Sequence, residues 1–561
     1  MGNLRISPAM TNQTNLSSNE SPTAVACDVD TRYYPHLFLI PAAIILTILS
    51  FLRRRKSFKK DVWGGRPGLV IPVDFLGIDH DRLATMFVFG AATGSILSLV
   101  LAGVIEGSNA WGKAFLIVGI AIEIALIYYP YFACLTSYHR IVGAMMGLPY
   151  SVIYFCVVLA SAFQKCKNNT ASGHWLIFLS TLPILICYVF IIGKFILVLY
   201  REIKEYGIFG VQLFSRDVES SSSQMKLVRP WLKNHVKNIF QPRPPPQYSR
   251  TEFYLRKIYN PEKDFKFSTE TLSVMMICGI LLYSFFIKGL YLISMALENL
   301  NFSIPWVLDL VRGMFGSLLA AVFLTTIICT LSLVRFMENH KNNMLRMFRG
   351  DKSFIPKNIS ASQFMVGRGL RFHSFQIGYF LWGLIFDLIT LFLLCFVLFL
   401  LQYRFVWKII HHFVGESSIM AGVAFFIWMC TLIASVTIFR DYNYSRNVIS
   451  INNRNLYLVF SYFWFFVGLP LGLFSAIFRI LKTMAVGLLM LPRIDHSIMP
   501  DGFQRIDPGY NAYICYLHVQ AAFRNPVLRV FCQMLIDDHE TLGASTVPRR
   551  GFIRLHDSVK R

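Results

Sequence analysis

Long apolar stretches recur along the chain, and each is about as long as a helix that crosses a lipid bilayer. Such a helix needs about 20 predominantly apolar residues. The sequence therefore predicts nine spanning helices, near residues 33–52, 84–104, 114–137, 143–163, 175–199, 270–296, 312–335, 376–402 and 417–440. A tenth apolar segment, 456–491, is interrupted by Gly468, Pro470 and Gly472. Because glycine and proline break helices, this segment is either a kinked span or a re-entrant helical pair, and we favour the pair.

The composition agrees with a chain that lies mostly in a lipid bilayer. Of the 561 residues, 55% are hydrophobic and 15% are charged, whereas soluble domains carry about 25% charged residues. The apolar runs exclude disordered, collagen-like and disulfide-scaffold classes. We therefore predict an all-α polytopic membrane protein, with nine transmembrane helices plus a re-entrant intramembrane helical pair.

The distribution of Lys and Arg predicts which side of the membrane each loop occupies. Arg53, Arg54, Arg55 and Lys56 follow the first span directly, and a basic run in that position marks the cytoplasmic flank. With alternating spans, the inside loops hold 30 Lys and Arg residues and the outside segments hold 7. We expect the N-terminus outside and the C-terminus in the cytoplasm. The net charge of +23 then belongs to the inner membrane face and does not indicate a nucleic-acid partner.

This topology divides the chain into six regions. They are an extracellular glycosylated tail (1–32), transmembrane helices 1 to 5 (33–199), a cytoplasmic basic and Pro-rich loop (200–269), transmembrane helices 6 to 9 (270–440), a cytoplasmic connector with the re-entrant segment (441–491), and a cytoplasmic amphipathic C-terminal region (492–561).

Glycosylation acceptors and two cysteines bear on the outside segments. Asn-x-Ser/Thr acceptors in those segments begin at Asn12, Asn15, Asn168 and Asn301. Two further matches, at Asn358 and Asn443, fall on predicted inside loops and count mildly against the topology because chance matches are common. Cys27 and Cys166 both fall outside, in an oxidising compartment, which predicts a disulfide between them.

The sequence carries no enzymatic or metal-binding motif. Catalytic signatures such as H-E-x-x-H and G-x-S-x-G are absent, and no Cys or His residues show metal-ligand spacing. We therefore expect no catalysis, no metal and no cofactor. The ionisable residues inside predicted spans are Glu123, Lys194, Lys288 and Asp387. They could form a proton or cation relay, but contacts that tie helices together are the favoured interpretation.

Two cytoplasmic segments suggest protein partners. Pro245–Tyr248 reads P-P-x-Y at the end of a polyproline segment, which fits either a WW-domain protein or, as we favour, a stiff spacer. From Tyr510 through Met534 charged and apolar residues interleave as in an amphipathic helix, which Pro526 should kink or divide. We favour packing of this helix under the membrane domain, with calmodulin binding as the alternative.

Several short motifs, spread over most of the chain, resemble the signatures of one membrane-protein family. The residues that carry the resemblance are Gly65, Arg66, Pro67, Gly68, Pro72 and Asp74 after the first span, Tyr128, Tyr129 and Pro130 in the third span, a patch from His340 to Gly350, and Asp507, Pro508, Gly509 and Tyr510 near the C-terminus. In this pattern the chain resembles the stimulated-by-retinoic-acid family, the cell-surface receptors for plasma retinol-binding protein. Its short C-terminal tail is more similar to the shorter member of that family.

The resemblance implies a homodimer that takes up retinol without a nucleotide. In that family holo retinol-binding protein docks on the outside, and retinol passes through a lipophilic cleft into the bilayer or to an intracellular carrier. The family's long docking segment is reduced here to about Glu298–Val311. The residues that we predict for a reduced carrier-docking surface are Phe302, Pro305, Trp306, Asp309, Arg312 and Phe315.

The sequence supports three functional hypotheses. The first is a plasma-membrane receptor and facilitative transporter for retinol, with retinol as the transported ligand. The second is a secondary transporter of polar solutes that uses Glu123 and Asp387. The third is a non-transporting signalling receptor that uses Pro245–Tyr248 and the C-terminal helix.

Overall fold

The computed structural model describes residues 34–53, 66–73, 75, 81–102, 110–137, 139–167, 174–206, 230–241, 259, 265–298, 305–356, 362–439 and 453–545. These residues are almost entirely helical, and no strand occurs among them. The helices are α1 (Tyr34–Leu37), α2 (Leu39–Leu52), α3 (Arg82–Ala91), α4 (Thr93–Ala102), α5 (Ala110–Leu135), α6 (Arg140–Lys167), α7 (His174–Tyr206), α8 (Pro230–Phe240), α9 (Thr269–Glu298), α10 (Pro305–Phe348), α11 (Ser362–Gly369), α12 (Phe372–Leu400), α13 (Arg404–Ile433), α14 (Arg454–Val467), α15 (Leu469–Leu489), α16 (Pro508–Phe523) and α17 (Pro526–Ser545).

Seven of the described helices are long and apolar enough to cross a membrane, and the bent pair α3 and α4 could add an eighth. Six of the seven, α5, α6, α7, α9, α10 and α12, coincide with predicted spans, and the seventh is the apolar part of α15. The first predicted span corresponds to the shorter helix α2, and the ninth to the end of α13 with the π-helical turn Ala434–Ile438. The helical membrane class is confirmed, whereas the count of nine and the sidedness of the termini stay predictions.

The first bundle is formed by α2, α3, α5, α6, α7 and α9, which pack on one another. Glycine allows the close approach at several points. A Cβ on Gly143 would meet the Cys134 carbonyl of α5, and a Cβ on Gly147 would meet the ring of Phe195 on α7. Gly143 and Gly147, which form a G-x-x-x-G pair, therefore pack helices within one chain.

A second body is built around α16, which contacts α10, α11 and α12. Every residue of α16 from Gly509 to Leu517 is buried, and the rings of Phe336, Phe372 and Tyr513 lie at the centre of this second body. The predicted amphipathic helix is divided at Pro526, as expected, but its first half is buried on all sides and only its second half, α17, has an exposed apolar face. The α17 helix contacts α8, where Lys233 Nζ lies 3.3 Å from Asp537 Oδ2.

The remaining helices, α13 to α15, form the least buried part of the described chain. No residue of α14 is buried, and the spanning window of α15 has no buried residue either. The two helices meet at Gly468, whose amide donates to the Trp464 carbonyl. The structure thus divides the tenth apolar segment at the predicted glycine, and its re-entrant path stays a prediction.

Candidate functional site

An exposed aromatic surface covers the consecutive helices α14 and α15, residues 454–489. We name them the aromatic hairpin after the predicted helical pair, although the backbone of Gly468 between them keeps right-handed helical angles. Its phenyl and phenol rings stand on the outside: Phe465 is 76% exposed and Tyr462 is 66% exposed. Phe460 stacks on Trp464 with ring centroids 5.7 Å apart, so neighbouring rings on the hairpin support one another. A surface of this kind is stable in lipid or against an apolar ligand, and aromatic side chains commonly line lipophilic binding sites.

The hairpin is joined to the rest of the molecule through α12 and α13. Both helices contact α15. At the end of α15 the chain turns against α12, where a Cβ on Gly383 would meet the ring of Pro492. The fully buried Gln376 donates from Nε2 to the Pro492 carbonyl at 3.4 Å. One end of the hairpin is therefore held firmly while its aromatic surface stays open.

Five of the six predicted carrier-docking residues lie in the first turns of α10. Pro305 opens the helix, and Trp306 is 68% exposed beside it. Asp309 and Arg312 are also exposed, while Phe315 is half-buried. The structure thus brings an exposed tryptophan and two exposed charges together at one helix end. Phe302 lies outside the described residues.

The first signature motif runs along the ends of α2 and α5. The Gly68 amide donates to the Ser50 carbonyl at 2.8 Å, and Tyr129 Oη donates to the Val70 carbonyl at 2.5 Å. Thr136 Oγ1 lies 3.1 Å from the Ile71 carbonyl and 3.2 Å from the Pro72 carbonyl. Arg66 and Pro67 are half-buried in the same segment. These bonds brace the fold at the ends of α2 and α5.

The other signature residues are also part of the packing. Tyr128 Oη lies 3.0 Å from Tyr188 Oη in the centre of the first bundle, and Pro130 lies inside α5. Asp507 caps α16, because its Oδ1 accepts from the amides of Gly509 at 3.0 Å and Tyr510 at 3.1 Å. Pro508 opens that helix, where a missing amide hydrogen costs nothing.

The ionisable residues of the predicted spans are distributed among separate contacts. Glu123 Oε1 lies 2.5 Å from His36 Nδ1. Lys194 Nζ lies 2.6 Å from Asp81 Oδ1 at the start of α3. These two contacts tie helices together, as the favoured interpretation expected.

The other two ionisable residues stand elsewhere. Asp387 is fully buried on α12 and accepts from Cys329 Sγ on α10 at 3.4 Å, and Lys288 is exposed on α9. Among the residues that the structure describes, no group of three His, Cys, Asp or Glu side chains could hold a metal ion.

Comparison with known proteins decides the family. The sequence pattern of the retinol binding protein receptor family matches residues 25–550. The chain belongs to this family. It is 25% identical to the Mus musculus protein "Stimulated by retinoic acid gene 6 protein-like", over 92% of this chain and 87% of that relative. It is 22% and 21% identical to "Receptor for retinol uptake STRA6" from Bos taurus and Homo sapiens, over 91% of this chain and 81% and 82% of those relatives.

This membership confirms the resemblance found in the sequence. The retinol binding protein receptor family is a receptor family whose ligand is retinol, and the apolar helices of this member mark it as a membrane protein.

Several predicted sites lie outside the described residues. They are the glycosylation acceptors Asn12, Asn15, Asn168 and Asn301, the signature residues Gly65 and Asp74, the cysteine Cys27, and the Pro245–Tyr248 motif. Cys166 belongs to α6, but its side chain is outside the described part too. The disulfide between Cys27 and Cys166 therefore stays a prediction.

Two features of this receptor were missed from the sequence. No side chain of the aromatic hairpin was named as a candidate, although aromatic residues are dense there between Tyr457 and Phe466. A Cβ on Gly313 would overlap the ring of Phe399, so this glycine sets α10 against α12 just below the docking residues. The available signal was a glycine one turn after Asp309.

Proposed function

We propose that this chain is a cell-surface receptor for retinol-binding protein that mediates cellular uptake of retinol by facilitated transfer through a lipophilic cleft. The family match over residues 25–550 carries the receptor and retinol part of the proposal. The relatives named as receptors for retinol uptake support it over nine-tenths of this chain.

The open aromatic hairpin supports the lipophilic route. Retinol is largely hydrocarbon, so it leaves water readily for an apolar surface. Exposed rings from Tyr457 on α14 to Phe478 on α15 offer such a surface. In our proposal retinol moves along this surface and leaves sideways into the bilayer, and the receptor only lowers the barrier to leaving the carrier. Nucleotide hydrolysis, a cofactor and a catalytic residue have no part in it.

The start of α10 is the proposed carrier-docking surface. Tryptophan is enriched among the side chains that contribute most to the binding energy of protein interfaces, and Trp306 is exposed and able to enter one. Asp309 and Arg312 would give the docked carrier its orientation, since charged groups at an interface rim favour one register. The packing of Gly313 on Phe399 holds these residues in place before the carrier arrives.

The remaining elements of the proposal follow from topology and family. We place the receptor in the plasma membrane with the N-terminus outside, the C-terminus in the cytoplasm, and glycans on the outer acceptors. We expect it to work as a homodimer. A calmodulin contact through α17 and a WW-domain contact through Pro245–Tyr248 stay predictions of the sequence.

Uptake and binding measured together test this function. Cells that express the chain are given holo retinol-binding protein with radiolabelled retinol, and the surface binding of labelled carrier is followed in parallel. We expect saturable uptake and saturable binding, both absent from untransfected cells. Uptake of free retinol without carrier binding would remove the docking surface from the proposal, and the absence of both would overturn it.

Neutralising Glu123 and Asp387 separates retinol transfer from the polar-solute alternative. A polar-solute transporter that uses Glu123 and Asp387 loses transport when both charges are removed. A retinol receptor has no charged cargo, so the Glu123→Gln and Asp387→Asn double variant should keep most of its retinol uptake per surface molecule. Loss of uptake at a normal surface level would favour the alternative.

A further inference from the structure

The segment that leads from α15 to α16 carries a buried carboxylate. The side chain of Asp495 is 0% exposed. Arg493 donates to both of its oxygens, from Nη2 to Oδ2 at 2.7 Å and from Nε to Oδ1 at 3.3 Å. From α10, Asn339 Nδ2 donates to the same Oδ2 at 2.8 Å. We name Asn339, Arg493 and Asp495 the junction. Because a buried charge is costly without its partners, the junction holds this segment in one place.

Two helices that pack on each other grip the segment at neighbouring points. Gln376 of α12 donates to the Pro492 carbonyl, and Asn339 of α10 donates to Asp495. The α10 and α12 helices pack along much of their length, with Gly313 against the ring of Phe399 toward the start of α10. The end of the aromatic hairpin is therefore tied to both members of one helix pair.

The same stretch of α10 also holds α16. Asn343, one turn after Asn339, donates from Nδ2 to Tyr513 Oη at 3.1 Å. Burial, and after it the carboxylate of Asp495, raise the pKa of Tyr513. The second cause shows that the junction lies close to the centre of the second body. The hairpin, α10 and α16 thus meet at one polar point.

The α10 helix connects this point with the proposed docking surface. It is continuous over 44 residues and contains no proline after its first residue. Sharp kinks in helices usually occur at proline, so α10 is expected to behave as one rigid element. Asn339 follows Trp306 by 33 residues, which is about 50 Å of helix. The docking surface and the junction therefore stand at a fixed separation.

The hairpin depends on its end for its placement. No residue of α14 is buried, and the spanning part of α15 has no buried residue. Burial begins just after α15, at Pro492, Ile494 and Asp495. Helices with little buried surface have few packing contacts that fix their position. The junction is thus well placed to set where the aromatic surface stands relative to α10.

We propose that Asp495 is a positioning residue for retinol transfer, because its junction with Asn339 and Arg493 fixes the aromatic hairpin relative to the helix on which the carrier docks. This inference rests on the proposed function. Asp495 is buried and contacts neither retinol nor the carrier. Its effect is on the placement of the surface that receives retinol, and transfer between two partners depends steeply on their placement. Loosening the junction therefore slows transfer and leaves docking intact.

An uptake titration of the Asp495→Asn variant tests this role in cells that express the full chain. Asparagine keeps the shape of the side chain and removes its charge. With radiolabelled retinol on holo retinol-binding protein, we expect the maximal uptake rate per surface molecule to fall about fivefold, a typical size for coupling through such a network. Carrier binding and the half-saturating carrier concentration should stay unchanged. Uptake of free retinol should also stay unchanged, since the exposed rings remain.

The control variant is Asp501→Asn. Asp501 is an exposed acid of the same connecting segment, and its Oδ1 accepts from Gln504 Nε2 at 2.8 Å within that segment. It has no contact with α10 among the hydrogen bonds and ion pairs of the described residues. We expect uptake and binding as in the unmodified chain. An equal fall in both variants would contradict the proposal.

A second variant acts on the α10 side of the junction. Asn339→Ala removes the donor from α10 and leaves the ion pair of Arg493 with Asp495, so carrier-delivered uptake should fall by less than in Asp495→Asn. This variant decides the question if Asp495→Asn fails to reach the cell surface. Combined with Asp495→Asn it should cause no further fall, because both changes act through one contact. Effects that multiply would contradict the proposal.

The outcomes separate this role from the proposed function. If the unmodified chain neither binds the carrier nor takes up retinol, the proposed function fails and this inference with it. If the unmodified chain does both and Asp495→Asn matches it, only the positioning role is wrong. A fall in free-retinol uptake as large as the fall in carrier-delivered uptake would also overturn the role, since Asp495 would then support the hairpin itself.

Discussion

The first bundle and the aromatic hairpin use the same kinds of side chain in opposite ways. In the bundle Tyr131 and Tyr188 are fully buried, whereas on the hairpin Tyr462 and Phe465 are mostly exposed. Both regions are apolar and aromatic, so composition does not separate them. The difference is whether neighbouring helices cover the rings. The covered region is a scaffold, and the uncovered one is the surface along which we propose that retinol moves.

Tyrosine hydroxyl groups form hydrogen bonds between the helices of the first bundle. In lipid a polar group has no water to bond, so it must find a partner inside the protein. Tyr128 Oη pairs with Tyr188 Oη, and Tyr150 Oη donates to the Ile127 carbonyl at 2.8 Å. The tyrosine cluster therefore joins α5, α6 and α7 by bonds as well as by packing. The hairpin has ring contacts of its own, such as Phe460 on Trp464, but few from outside it.

Removing a ring from each region should give the largest contrast. Phe195 is 1% exposed and fills the space beside Gly147. Phe195→Ala should cost about 3–5 kcal/mol in packing and cavity terms and greatly reduce the folded receptor at the cell surface. Phe465→Ala, on the hairpin, should leave the surface level unchanged and lower retinol uptake. Surface biotinylation measures the amount of each variant at the cell surface, and retinol uptake is then expressed per surface molecule. Equal surface levels of the two variants would contradict the predicted difference between the bundle and the hairpin.

Adding a methyl group should give the next largest effect. Gly143→Ala places a Cβ against the backbone carbonyl of Cys134, which has no flexible side chain to move aside, so we expect a loss of about 1–3 kcal/mol. Gly193→Ala in α7 and Gly472→Ala in α15 are matched controls, because a Cβ at either position meets nothing within 4 Å. Thermal unfolding of the purified variants should show a lower midpoint for Gly143→Ala alone.

A smaller and more specific effect is expected at the docking surface. Trp306→Ala should weaken binding of holo retinol-binding protein about tenfold, since exposed tryptophans dominate interface energies. It should leave uptake of free retinol unchanged. Trp175→Ala is the control, because Trp175 is 78% exposed at the start of α7 and has no predicted docking role. If carrier binding weakens equally in Trp306→Ala and Trp175→Ala, the docking surface is not confined to the start of α10, and the prediction is wrong.

The smallest effect concerns the contact between α8 and α17. Lys233 and Asp537 are both about half exposed, so solvent screens their attraction. Lys233→Ala should change the free energy of unfolding by less than about 1 kcal/mol. A larger loss, measured by the unfolding midpoint in detergent, would mean that α8 holds α17 through more than this ion pair.

The family and the helical class could be predicted because they depend on local patterns. Arg66, Pro67 and Gly68 are recognisable because they are consecutive in the sequence. A run of apolar residues predicts a membrane span whatever the helix packs against. The division of the last apolar segment at Gly468 and of the C-terminal helix at Pro526 could also be predicted, since both depend on a backbone that cannot continue a regular helix. These features can be predicted without knowing which helices are adjacent in space.

Which face of each helix is buried by other helices could not be predicted from the sequence. The C-terminal segment from Tyr510 looks amphipathic, yet its first half is enclosed by α10, α11 and α12. Gly313 looks like any glycine in a span until Phe399 is seen beside it. The partners of Glu123 and Lys194, His36 and Asp81, are far from them in the sequence.

The sequence by itself determined that this protein is a helical membrane receptor of the retinol-binding protein receptor family, because hydropathy and short motifs are properties of consecutive residues. Only the tertiary structure decided which aromatic rings are buried and which are open, and which charged side chains lie in contact. The physical reason is that burial and electrostatic potential arise between helices that are distant along the chain and adjacent in space.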